Sequence, residues 1–74
     1  MKVYVAIVEL KYDVLAVAYS KSEAVQLACL KAFDFLKKAG AITDETDTPE
    51  KVRAWFGVTV TGCEVGQAAM VGDV

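Results

Sequence analysis

The sequence of 74 residues contains no His and no Asn, and it has one Pro, one Trp and two Cys. Histidine is the commonest general acid or base and the commonest metal ligand, so its absence removes the usual donor for both kinds of site. Two cysteines are also too few for a structural zinc site, which needs four ligands, usually Cys or His. We therefore expect no cofactor, no metal and no catalytic residue, although carboxylates alone leave a magnesium or calcium site open.

Basic charge is also scarce and scattered, because the chain has eight basic residues against ten acidic ones and a net charge of −2. Arg53 is the single arginine, and the lysines are spread along the chain. Nucleic-acid binding requires a clustered basic surface, so we expect no direct contact with nucleic acid.

Long apolar runs are missing too, since the longest are 3–8 and 14–19. A membrane span needs roughly 20 residues, and Glu9 interrupts the first run too early for a signal peptide. Cys29 and Cys63 show no CxxC spacing, which favours free thiols in a reducing cytoplasm but leaves a disulfide open. We expect a cytoplasmic protein with no membrane contact.

What is present indicates a folded domain, because hydrophobic residues make up 55% of the chain. Residues 2–10 and 13–19 are rich in Val, Ala and Tyr, and a short polar link joins them, which predicts a β-hairpin. Residues 58–61 alternate Val and Thr and predict a third strand, and 68–71 are candidates for a short fourth strand. We expect one domain over residues 1–74.

Two helices are predicted from their end signals. Ser20 and Glu23 form a capping box before a helix over 21–39, which Gly40 ends. Thr48 and Pro49 begin a shorter helix that ends before Gly57.

The resulting order is β-β-α-α-β, and a right-handed crossover places the third strand beside the first. The predicted fold class is α+β. It has an antiparallel sheet of three strands, or four with the tail, in the order 2-1-3. One long and one short helix lie on one face.

The densest charge cluster is the acidic loop, which we define as Asp44, Glu45, Asp47 and Glu50. Its spacing lacks the central Gly and the terminal Glu of an EF-hand, and no neighbouring residue would give two acids different catalytic roles. The ordinary interpretation is a solvated loop beside a helix N-terminus. The functional interpretation is a docking patch for a basic partner surface.

Cysteine and the aromatic pair Trp55 and Phe56 have ordinary interpretations as well. Without His, neither Cys29 nor Cys63 has a base, so both are expected to be small core residues without catalytic use. The aromatic pair is expected to close one end of the core, with a protein-binding hot spot as the alternative.

Apolar surface is in excess for so small a domain. The first helix has an apolar stripe, and Leu27 and Leu30 fall outside it. One face of the sheet also lacks a covering layer. Either the second helix covers the two leucines and the tail covers the sheet, or one of these patches is an interface with a host protein or a second copy.

The hairpin, the capped helix over 19–28 and the returning strand Val58-Thr59-Val60-Thr61 together resemble small phage-encoded accessory proteins, some anti-CRISPR inhibitors among them. The resemblance spans most of the chain and is one of architecture, so it assigns no functional residue. It implies a non-enzymatic protein in the host cytoplasm that blocks a host nucleoprotein complex by covering its surface.

Candidate binding residues for that role are Asp44, Glu45, Asp47, Glu50, Leu27 and Leu30. A structural or regulatory homodimer that pairs through its sheet is the first alternative. A small carboxylate-based enzyme or ligand-binding domain is the second.

Overall fold

The α+β architecture predicted from the sequence is confirmed by a computed structural model, which describes residues 1–73. Val74, the last residue of the predicted domain, lies outside the described residues. Three antiparallel strands are ordered β2-β1-β3. They are β1 (Lys2–Glu9), β2 (Asp13–Ala18) and β3 (Thr59–Glu64), and the helices are α1 (Lys21–Lys38) and α2 (Pro49–Phe56).

Helix α1 begins and ends at the predicted signals. The Ser20 side chain accepts a hydrogen bond from the Glu23 backbone N–H at 3.2 Å. Gly40 has a φ of +68°, and its N–H donates to the Lys37 carbonyl at 3.1 Å. Glycine adopts this left-handed conformation at no steric cost, so the last turn of the helix is closed by its own backbone.

Helix α2 also matches its predicted limits. The Thr48 side chain accepts from the Lys51 N–H at 3.2 Å, and Pro49 occupies the first turn. The Gly57 N–H donates to the Arg53 carbonyl at 2.8 Å and ends the helix.

The core lies between α1 and one face of the sheet. From β1 it takes Ala6 and Val8, and from α2 it takes Val52, all with no exposed surface. The buried face of α1 is dominated by small residues: Ala24, Ala28 and Ala32 are fully enclosed, with Val25, Cys29 and Leu36 nearly so. Small side chains allow the helix backbone to lie close to the sheet.

Of the two alternatives left by the sequence, three strands or four, the structure has three, and residues 68–71 form no strand. Those residues are coil leading into a turn, in which the Asp73 N–H donates to the Met70 carbonyl at 3.1 Å. The Gly72 N–H donates to the Thr61 hydroxyl at 2.8 Å, and the Gly62 N–H donates to the Asp73 carbonyl. The tail is therefore bound to β3 through two hydrogen bonds, and it does not form the continuous backbone hydrogen-bond ladder of a fourth strand.

Candidate functional site

The acidic loop is held in shape by two threonines. The Thr43 N–H donates to the Thr46 hydroxyl and the Thr46 N–H donates to the Thr43 carbonyl, both at 3.1 Å. Thr46 is buried, whereas Asp44, Glu45 and Asp47 are exposed. The threonine pair thus anchors a turn that displays the carboxylates to solvent.

One carboxylate of the loop is already paired. The Lys51 ammonium lies 2.8 Å from the Asp47 carboxylate and donates to the Asp44 carbonyl at 3.1 Å. The hydrogen bond that Lys51 donates to the Asp47 carboxylate, and then the negative charge of that carboxylate, raise the pKa of Lys51. Among residues 1–73, no ion pair engages the side chains of Asp44, Glu45 or Glu50. The loop therefore presents three free acids, one fewer than the sequence count suggested.

A groove of about 390 Å³ runs between α1 and α2, and we call it the α1–α2 groove. Buried Val25 and Cys29 border it together with the exposed side chain of Leu30. Pro49 from α2 adds a further apolar wall, and the polar residues that complete the lining are Gln26, Glu50 and Arg53. The groove has an apolar interior with charge of both signs at its mouth.

This groove brings together two of the predicted binding residues, Leu30 and Glu50. Leu30 is 53% exposed and Leu27 is 44% exposed, so α2 does not cover either leucine. Leu27 lies on the same helix but outside the groove lining. The structure therefore splits the predicted leucine pair into one groove residue and one neighbour.

Gln26, Pro49 and Arg53 line the groove, although the sequence did not single them out as binding residues. Their position depends on how α2 packs against α1, which no local pattern encodes. A signal was available only for Arg53, because it lies three positions after Glu50 and therefore shares a face of α2 with it.

The Cys29 thiol at the groove is not activated. Burial raises its pKa, the charge of Arg53 opposes that effect, and the charge of Glu50 adds to it. A thiol whose pKa is raised stays protonated near neutral pH and is a poor nucleophile. Cys29 fits the predicted role of a small core residue.

Cys63 lies in a different part of the molecule. It pairs with Val3 in the sheet, and alternation along β1 places both on the face away from the buried Ala6 and Val8. Its thiol donates to the Gln67 carbonyl at 3.2 Å. Both cysteines are free thiols, and the sheet separates them.

The second exposed apolar region is the open face of the sheet, opposite the helices. Leu15 is 61% exposed and Val17 is 52% exposed on β2, and they pair with half-buried Ile7 and Val5 on β1. The tail contacts this face at β3, where the Thr61 hydroxyl accepts from the Gly72 N–H, but Leu15 and Val17 at the other end of the sheet stay exposed. Of the two apolar faces that the sequence left undecided, the structure exposes the one with Val5 and Ile7.

The aromatic pair on α2 does not close the core as predicted. Trp55 is 63% exposed and Phe56 is partly exposed, while Val52 on the same helix is completely buried. The indole of Trp55 therefore belongs to the surface.

Three further findings bear on function. Within the part of the chain that the structure describes, no three His, Cys, Asp or Glu residues are grouped so that they could hold a metal ion. Over residues 1–73, neither helix is long and apolar enough to cross a membrane. The chain matches no protein-family model, no curated protein and no solved structure.

Proposed function

We propose that the protein is a non-enzymatic interaction protein whose contact surface is the α1–α2 groove together with the acidic loop. The observation that carries this proposal is that Glu50, an acid of the loop without an ion-pair partner among residues 1–73, lines the same groove as the exposed Leu30. A pocket with an apolar interior and an unpaired acid in its lining is complementary to a protein segment that presents an apolar side chain followed by a basic residue.

The geometry favours contact over catalysis. The thiol at the groove is kept protonated, and the carboxylate closest to a base, Asp47, is already bound to Lys51. An enclosed apolar contact supplies most of the affinity in such sites, while acids at the rim mainly accelerate encounter. No specific observation favours the carboxylate-based enzyme.

The architectural resemblance supplies the partner class. We propose that the protein is a phage-type inhibitor, similar to anti-CRISPR proteins, that acts in the host cytoplasm by covering a surface on a host nucleoprotein complex. Basic surfaces that hold nucleic acid in such complexes attract acidic ligands. Support comes from the net charge of −2 and from the unpaired acids of the acidic loop, of which Glu50 lines the groove.

The test uses purified CRISPR nucleoprotein complexes and their target DNA. DNA binding is measured by mobility shift after incubation with the parent protein, with Leu30→Glu and with Leu27→Glu. Both substitutions place a carboxylate at an exposed leucine of α1, but only Leu30 lines the groove. Because Leu30→Glu replaces an apolar part of the groove lining with a charged side chain, it removes the apolar contact that the proposal requires, and we expect only this variant to lose inhibition.

Two outcomes would contradict the proposal. If the parent protein leaves DNA binding intact and coelutes with none of the complexes, it is not an inhibitor of this class. If both leucine variants lose inhibition equally, the contact surface is not the groove.

A second candidate function, the homodimer that pairs through its sheet, is favoured by one observation. β2 lies at the edge of the sheet and carries the exposed Leu15 and Val17.

A further inference from the structure

The two edge strands of the sheet, β3 and β2, differ in whether another part of the chain binds their outer side. At the outer edge of β3, the Gly62 N–H donates to the Asp73 carbonyl and the Thr61 hydroxyl accepts from Gly72. At the outer edge of β2, no backbone hydrogen bond from another part of residues 1–73 is present. Unpaired strand edges are templates for further pairing, and proteins usually block them with Pro, a bulge or a charge in the strand.

β2 has none of these blocks within its apolar stretch. Its sequence is Asp-Val-Leu-Ala-Val-Ala, with a single charge at the first residue. The ladder with β1 runs from Asp13 to Ala18 without a bulge. β2 is therefore a regular strand that is free to pair on its outer side.

The hydrogen-bond pattern identifies which backbone groups are free. The Val65 N–H donates to the Met1 carbonyl at 2.8 Å, which directs the backbone of Met1 toward β3. Backbone direction alternates along a strand, so Ala6 turns toward β2, where Ala16 is its partner. It follows that the backbone N–H and C=O groups of Ala16 point toward β1, whereas those of Leu15 and Val17 point away from β1, toward solvent.

We propose that the outer edge of β2 binds the same edge of a second copy of this chain, in antiparallel orientation, so that the two sheets join into one of six strands. The proposal rests on the second candidate function above, the homodimer that pairs through its sheet, and its interface is separate from the α1–α2 groove, so its failure would leave the groove proposal untouched. Outward groups can bond only to outward groups, which restricts the register. We choose the register that keeps the longest overlap within β2 and pairs only apolar side chains on the open face. In this register Leu15 lies opposite Val17 of the second copy, and Ala16 of both copies lies at the two-fold axis.

The ends of β2 are complementary in charge, which is why a second copy fits this edge. Asp13 begins the strand, and Lys21 follows its other end at the start of α1. An antiparallel pair places Asp13 of each copy opposite Tyr19 of the other, near Lys21, and the contact occurs twice by symmetry. The apolar pairs in the centre cover side chains that are 61% and 52% exposed in the single chain.

A groove of about 260 Å³ runs along the same edge and continues this surface. It lies between β2 and α1, and its lining consists of Tyr12, Asp13, Val14, Leu15, Lys31 and Phe35. Unfilled space with apolar walls and two charges, beside an unpaired strand, adds contact area for the second copy. Backbone pairing and apolar contact thus involve one continuous surface.

The first test is the oligomeric state of the whole protein by sedimentation velocity. For a small interface we expect the mass to rise from 8.0 kDa toward twice that value between about 10 µM and 1 mM. Leu15→Lys should weaken association at least about tenfold, because lysine on an edge strand opposes pairing. Leu27→Lys is the matched control, since it changes an exposed leucine on α1 and should leave association unchanged.

The second test is a cross-link that reports the register, made in a Cys63→Ser background. Ala16 of the two copies would face each other as a non-hydrogen-bonded pair with Cα atoms about 4.5 Å apart, a distance that a disulfide spans. Ala16→Cys should therefore form a covalent dimer on oxidation. Val14→Cys should not, because its partner in this register is Ala18.

The proposal is overturned by a constant mass of 8.0 kDa over the whole concentration range. Equal effects of Leu15→Lys and Leu27→Lys would also overturn it, since the edge would then have no special part in association. Cross-linking through Val14→Cys as efficient as through Ala16→Cys would refute the register.

Discussion

Ala32 is the residue whose substitution tests the fold most directly. It lies in α1, has no exposed surface and belongs to the face that packs on the sheet. Ala32→Glu would overfill a close-packed site, at a cost of about 1–3 kcal/mol, and would bury a carboxylate without a partner, at a further cost of about 3–5 kcal/mol. A chain of this length has a total stability of about 4–11 kcal/mol, so the variant should be largely unfolded at neutral pH.

Ala32→Gln is the control that separates charge from size, because it has the same shape as Glu without the charge. Burial would raise the pKa of the introduced carboxyl, so the folded state would bind its proton more tightly than the unfolded state. The charge penalty should therefore be present at neutral pH and fade as the pH falls to about 4, whereas the Gln variant should show no such recovery.

Urea unfolding followed by far-UV circular dichroism measures both effects. Lys31→Glu, at the neighbouring exposed position on α1, should stay within about 0.5 kcal/mol of the parent. If Ala32→Glu unfolds at the same urea concentration as the parent, the helix face assigned to the sheet is wrong.

Three further predictions concern the loop and the thiols. The first variant replaces Asp44, Glu45 and Asp47 with Ser or Gln, and its stability should change by no more than about 0.5 kcal/mol because the one ion pair that is lost is exposed. In stopped-flow measurements the same variant should associate more slowly with the partner, and its association rate should depend less on salt concentration. A thiol reagent at neutral pH should modify Cys63 well before Cys29, whose pKa is raised by burial, and faster reaction of Cys29 would contradict the packing. Because the pKa of Cys29 is raised in the folded state, its thiol contributes stability at pH values below the pKa of the unfolded thiol, and this contribution is lost as the pH rises through the folded pKa. Urea unfolding of the parent and of Cys29→Ala at neutral and alkaline pH would measure this loss.

Local signals predicted most of the fold. The helix ends are set by three residues, Ser20, Thr48 and Gly40. The two hydroxyls accept hydrogen bonds from free N–H groups in the first turns, and the glycine ends the hydrogen-bond ladder of α1, so each signal acts within a few residues. Strand order followed from the handedness of the crossover. These features depend on neighbouring residues or on general topology, so one sequence was enough to predict them.

Features that depend on how the elements pack against each other were predicted poorly. Trp55 and Phe35 are exposed although both lie in apolar patterns, because the side of a helix that another element covers is decided by packing and not by the pattern of that helix alone. Residues 68–71 have strand-like composition, yet the tail bonds to β3 through its turn. The groove beside Leu30 likewise depends on how two helices pack.

The acidic loop illustrates a signal that was present in the sequence but not used. Asp47 and Lys51 are spaced four residues apart at the start of α2, the spacing of a helical ion pair. Counting the acids without that partner overstated the free charge of the loop. The remaining binding residues are still predictions, because their exposure does not by itself identify a partner.

The central position of β1 has a consequence for the way in which the chain folds. Its first neighbour, β2, follows after a short turn, whereas its second neighbour, β3, comes from the opposite end of the sequence. The hairpin and α1 involve local contacts that form quickly, but pairing of β1 with β3 must close a long loop. Pairing of β3 with β1 should therefore occur late in folding. Destabilising substitutions in β3 should mainly accelerate unfolding, whereas destabilising substitutions in the hairpin should mainly slow refolding.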